Sequence, residues 1–151
     1  MNLETWLGLK ESHIEDLENV DIILMRRILD APSKVPIPSL YLELGIIPIR
    51  FIIMARRLMF LHYVLNLSDD DPLSKVFWVQ QNSPLKSDWS EYVKKDLETL
   101  QLNNYSLTEL KNMKKYKWKK IVKEAVRKRA FEYLQVEKDR KKKIKNIHYS
   151  K

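Results

Sequence analysis

The sequence predicts an all-α protein: a helical bundle of about six or seven helices with a basic C-terminal helix and tail. Three observations predict it. The 151 residues include two glycines, too few for the many tight turns of a sheet-rich fold. Long stretches carry apolar residues at helical spacing, and Pro, Asn and Ser punctuate them. The block Ser39–Asn66 reads as a short helix, a Gly/Pro break and a long helix apolar on nearly every side. An apolar content of 44% is enough for a core in one ordinary domain.

Ser12 and Glu15 have capping-box spacing, so the first helix is expected to start near residue 13. Ile14, Leu17, Leu24, Met25 and Ile28 then form its apolar face. Pro32, Pro36 and Pro38 make a connector of limited freedom. A short helix follows from Ser39 to Leu44, with Gly45 in the left-handed position that closes a helix. Pro48 suits the first turn of the long helix, which runs to Leu65. A helix apolar all round is buried in protein or lipid. Arg50, Arg56, Arg57 and His62 argue against lipid, because charges inside a membrane span are costly.

Ser68–Pro72 is a turn with an acidic helix start, and the helix it opens runs to about Gln81. Asn82, Ser83 and Pro84 break that helix. Ser87 or Asp88 caps the next, whose Trp89, Val93, Leu97 and Leu100 follow a helical stripe. Ser106 and Glu109 repeat the capping-box spacing and open a short helix to about Met113. The last long helix is expected from about Tyr116 to Val136 or beyond. Trp118, Ile121, Val122, Ala125 and Val126 share its apolar face, and Lys120, Lys123 and Arg127 lie opposite. This division places a helical domain at residues 1–136 and a basic tail at 137–151. The tail holds too few apolar residues to fix itself to a core, so it either extends the helix or stays disordered.

Charge is unevenly spread. Residues 111–151 hold 17 Lys/Arg and 4 Asp/Glu, a net +13, whereas residues 1–110 hold 11 and 16, a net −5. A basic end on a mildly acidic body implies a polyanionic partner, with RNA or DNA foremost. An anionic membrane surface or an acidic protein are the other polyanions the charge fits. Basic residues between Lys114 and Arg129 are expected either to bind phosphates through counterion release or to form a solvated helix face. Tyr116 and Trp118 lie among them, and aromatic rings stack on unpaired bases, although Trp118 shares a face with Ile121 and Val122 and so points inward. Arg50, Arg56 and Arg57 meet either carboxylates such as Glu43 or Asp21, or phosphates.

Other chemistries find little support. With no cysteine there is no disulfide, thiolate nucleophile or cysteine zinc site. His13, His62 and His148 lack partners at ligand spacing, and His62 is expected to be a hydrogen-bonded core residue. Asp69, Asp70 and Asp71 are consecutive at a helix start and cannot all face one ion, so they are read as capping groups. No Ser/His/Asp set, Gly-rich phosphate loop or Walker sequence is present. No catalytic residue, metal ligand or cofactor is therefore expected. The N-terminus lacks a basic stretch followed by an apolar run. The expectation is an intracellular protein of nucleus or cytoplasm, with no membrane contact.

Five segments carry a resemblance. They are VDIILMRRILDAP (Val20–Pro32), LYLELG followed by IPIRF, ARRLMFLHYVLN (Ala55–Asn66), KVFWVQQNSPLKSDWSEYVKKDLE (Lys75–Glu98) and MKKYKWKKIVKEAVRKRAFEYL (Met113–Leu134). Together they resemble the region downstream of the polymerase motifs in non-LTR retrotransposon reverse transcriptases. The lineage is the Dong-like one that encodes a restriction-like endonuclease. The likeness covers roughly residues 14–145. It implies a thumb and helical linker that cradle RNA template, DNA–RNA duplex or target DNA. Arg56 and Arg57 match the family's basic pair, and Lys114, Lys115, Lys117, Lys119, Lys120 and Lys123 match its basic helix start. The basic face read from the residues adds Arg127 and Lys128 to these as nucleic-acid-binding candidates. The paired aspartates of the family's polymerase, its zinc knuckle and its endonuclease are not among these residues, so neither polymerisation nor cleavage is expected. The resemblance implies the palm and endonuclease domains as further partners. The alternative is a helical protein-interaction module that docks on a polymerase palm or an acidic partner.

Overall fold

The computed structural model describes residues 9–82 and 89–149, with side chains as far as Arg140. Among these residues there are seven helices and no strand: α1 (Glu11–Ile28), α2 (Ile37–Leu44), α3 (Ile49–Leu65), α4 (Pro72–Asn82), α5 (Trp89–Thr99), α6 (Leu107–Asn112) and α7 (Lys115–Tyr149). The all-α expectation holds. The chain forms two compact units, one spanning Ile52–Val126 and the other combining Lys10–Phe51 with Arg127–Lys151. The boundaries fall inside α3 and α7 rather than in a linker. Ser87 and Asp88 lie outside the described residues.

The unit containing α1 and α2 is built on Met25, Leu40, Tyr41 and Leu134, with Ile22, Leu29, Val35, Ile37 and Leu44 packed around them. Its helix α1 starts two residues earlier than the Ser12/Glu15 spacing predicts. The Lys10 backbone N–H donates to His13 Nδ1 at 3.3 Å, so His13 takes the reciprocal role that Glu15 was expected to fill. The buried face also differs from the expected one. Ile14 and Met25 are buried and Leu17 is half-buried, but Leu24 and Ile28 face outward. Residues 20–29 are apolar on more than one side, so periodicity alone does not select the inner face. Arg26 holds the proline connector, donating from Nη1 to the Pro32 carbonyl (2.7 Å) and from Nη2 to that of Val35 (2.9 Å).

Helix α2 begins at Ile37 rather than Ser39. Pro38 sits in its first turn, where a missing N–H removes no intrahelical bond. Gly45 ends the helix in the left-handed region (φ +62°), and the Ile46 N–H reaches back to the Tyr41 carbonyl at 3.0 Å. Arg50 then ties α3 to α1. Its Nε and Nη2 donate to the two Glu18 carboxylate oxygens, each at 2.6 Å, and Nη1 lies 3.1 Å from Glu11. The expectation of a carboxylate partner for Arg50 is met by Glu18 and Glu11, not by Glu43 or Asp21.

In the Ile52–Val126 unit, α3 supplies Ile53, Leu58, Leu61 and Val64 to the core. Trp89 of α5 packs edge-on against Phe60 of α3 and Phe77 of α4, with ring centroids 5.4 and 5.5 Å apart. The acidic turn is a cap, as predicted: Asp71 Oδ1 accepts the Leu73 N–H at 2.9 Å. Ser106 and Glu109 form the predicted capping box, with the Glu109 N–H on Ser106 Oγ (3.2 Å) and the Ser106 N–H on Glu109 Oε2 (2.7 Å). His62 is the hydrogen-bonded core residue expected of it. Its Nε2 lies 2.7 Å from the Met113 carbonyl, which only accepts, so Nε2 carries the proton.

Of the two states the sequence allows for the stretch after Val136, helix extension or disorder, it takes the first and is helical to Tyr149. No helix among the described residues is long and apolar enough to cross a membrane.

Candidate nucleic-acid interface

The start of α7 is fixed from its apolar side. Trp118, Val122 and Val126 recur at four-residue steps and are buried, with Ile121 and Ala125 half-buried beside them. Trp118 is 0% exposed, and its indole N–H donates to the Leu58 carbonyl of α3 at 2.9 Å. Tyr105 meets it edge-on at 6.0 Å. A helix pinned along this stripe turns every other position outward.

Those outward positions are nearly all cationic. Lys114, Lys115, Lys117, Lys119, Lys120 and Lys123 are exposed, and none forms an ion pair among the described residues. Elsewhere among the described residues, Arg50 pairs with Glu18, Lys75 with Asp70, Lys94 with Glu91, Arg129 with Glu132 and Arg140 with Glu137. Glu124 is the sole carboxylate between residues 114 and 128. Six unopposed ammonium groups on two to three turns give this surface a strong positive potential. Further along α7, in the other unit, Arg127 and Lys128 are also exposed and without an ion pair among the described residues.

The predicted arginine pair divides. Arg57 is 4% exposed and bound inside the Ile52–Val126 unit, its Nε and Nη2 donating to Asp96 Oδ2 and Oδ1 at 2.6 and 3.0 Å. Its guanidinium also lies over the Tyr92 ring at 5.2 Å. The expected carboxylate partner of Arg57 is thus Asp96, and a phosphate cannot reach a cation so enclosed, which corrects its place among the nucleic-acid-binding candidates. Arg56, the next residue on the helix, is half-buried.

Asp96 is the important residue that sequence reading missed. Burial pushes its carboxyl up to about 6, against the pull of the Arg57 charge and hydrogen bonds. A signal was present. Asp96 lies beside Val93, Leu97 and Leu100 on the buried stripe of α5, where a carboxylate needs a cation. Its partner is 39 residues away, beyond the reach of helical spacing.

No protein-family model, no curated protein and no solved structure matches this chain.

Proposed function

We propose that this chain is a nucleic-acid-binding helical module without a catalytic role of its own, holding RNA template or DNA target through phosphate contacts. The origin we propose is the thumb and linker region of a non-LTR retrotransposon reverse transcriptase, with the palm and endonuclease as its neighbours. The observation that carries the reading is the row of exposed lysines at the start of α7, without an ion pair among the described residues. Lysines this closely spaced and exposed, with no ion pair among the described residues, are available to an outside polyanion. Phosphate contacts of this kind set affinity and orientation but carry little sequence information.

The test is binding of the purified chain to labelled hybrid duplex, single-stranded RNA and duplex DNA between about 50 and 200 mM salt. A variant with Lys119, Lys120 and Lys123 changed to Gln is expected to bind about tenfold more weakly at the lower salt. Its dependence of log affinity on log salt should be shallower by about two to three, one for each lost phosphate contact. A folded wild-type chain that binds none of the three ligands at about 50 mM salt rejects the proposal.

A second reading has its own observation. Val20, Ile23, Leu24 and Ile28 of α1 are 48–68% exposed and lie close together on the helix surface. Contiguous exposed aliphatics of this size mark protein-interaction surfaces. A docking module would use them against a protein partner. Changing Leu24 and Ile28 to Ser is expected to lower the fluorescence of an added hydrophobic dye. Unfolding free energy should move by no more than about 0.5 kcal/mol, as for surface changes generally. A large stability loss instead would show that the stripe is covered within the chain.

A further inference from the structure

The two aromatic residues near the start of α7 have opposite fates. Trp118 is committed to the core through its ring and its N–H. Tyr116, two residues earlier, is 71% exposed. Among the described residues its ring meets no other ring and its hydroxyl has no hydrogen-bond partner. It therefore contributes little to the fold. Lys119 and Lys120 lie three and four positions on, beside Tyr116 on the helix surface, and Lys123 follows one turn later. No carboxylate intervenes before Glu124.

We infer that Tyr116 is a base-stacking platform, and that the lysine row at the start of α7 takes single-stranded nucleic acid in preference to duplex. The inference rests on the nucleic-acid reading above and narrows it. The physical reason is access. In a duplex both faces of each base are covered by its neighbours, so an exposed phenol ring finds only phosphate and sugar. An unpaired base can leave its neighbours and lay its face on the ring, while the adjacent lysines hold the flanking phosphates. Stacking is tolerant of sequence because every base has such a face. Single-stranded RNA and DNA share this chemistry.

The experiment compares a labelled oligo(U), a labelled oligo(dT) and a labelled mixed-sequence DNA duplex of equal length, each over the same salt series from about 50 to 200 mM. Wild-type chain is expected to bind both single strands more tightly than the duplex. Tyr116→Ala should weaken single-strand binding roughly tenfold and duplex binding less than twofold, with the salt dependence unchanged. Tyr116→Phe should bind like wild type, since the ring stacks and the hydroxyl does not. Binding to oligo(U) and not oligo(dT) would assign the 2′-hydroxyl a part and keep the stacking role. If Tyr116→Ala weakens all ligands equally, or none, the stacking role is overturned. If the Lys119/Lys120/Lys123 variant still loses binding in that case, the phosphate reading survives. Loss of both effects overturns both. Circular dichroism at 222 nm on each variant checks that the overall helix content is kept.

Discussion

Changing Asp96 to Ala is expected to cost about 3–5 kcal/mol, measured as the loss of unfolding free energy in urea. The substitution removes one half of a buried bidentate pair and leaves the Arg57 guanidinium enclosed without its counter-ion. The attraction between the two charges is smaller than the cost of stranding one of them, so a joint replacement tests the cause. Arg57→Met together with Asp96→Leu should recover most of the loss, because an apolar pair of similar volume needs no desolvation. The pair is also incompletely compensated: Arg57 Nη1 has no hydrogen-bond partner. That fits the direction of the Asp96 shift, where burial outweighs the partner. A carboxyl whose folded value is raised from 3.8 to about 6 keeps its proton longer in the native state than in the unfolded chain. Stability from this group is therefore full below about pH 4, falls as pH rises towards 6, and is level above. The Asp96→Asn variant should lack that slope.

Trp118→Ala is the second large effect, at about 3–5 kcal/mol for removal of a fully buried indole. Unfolding should be followed by circular dichroism, since the substitution alters the tryptophan signal itself. Trp118→Phe separates packing from hydrogen bonding. It retains most of the apolar contact and gives up the bond to the Leu58 carbonyl, worth about 1 kcal/mol. The effect extends to binding without any contact to ligand. Trp118 anchors the stripe that sets which way the lysines face, so Trp118→Ala should weaken RNA or DNA binding and Trp118→Phe should restore it. If Trp118→Ala keeps full affinity in a folded chain, the lysines do not depend on the anchor.

Much of this architecture was legible because it is written locally. Gly45, the Ser106/Glu109 box and the Asp71 cap each act within four residues, and each appears where its spacing put it. The inward turn of Trp118 was legible from Ile121 and Val122, and His62 from its place on the crowded helix. The failures share a cause. The inner face of α1 was misjudged because Val20 to Leu29 is apolar on several sides, and tertiary packing made the choice. For Arg57 the sequence leaves carboxylate and phosphate both open, because its carboxylate lies on another helix, 39 residues further on. For the candidate interface, sequence spacing located the lysine row, but its lack of ion pairs among the described residues emerged only from the placement of their carboxylates.

That row has a thermodynamic side of its own. Lys115 with Lys119, and Lys119 with Lys123, are like charges one helical turn apart, each pair disfavouring the helix by a few tenths of a kcal/mol. The free protein therefore carries self-repulsion that dissolved salt relieves. Salt should make the unbound fold firmer while it loosens the grip on a polyanion, so the two equilibria move in opposite directions along one axis. A bound phosphate chain would remove the same repulsion, and its binding energy would reappear as added fold stability.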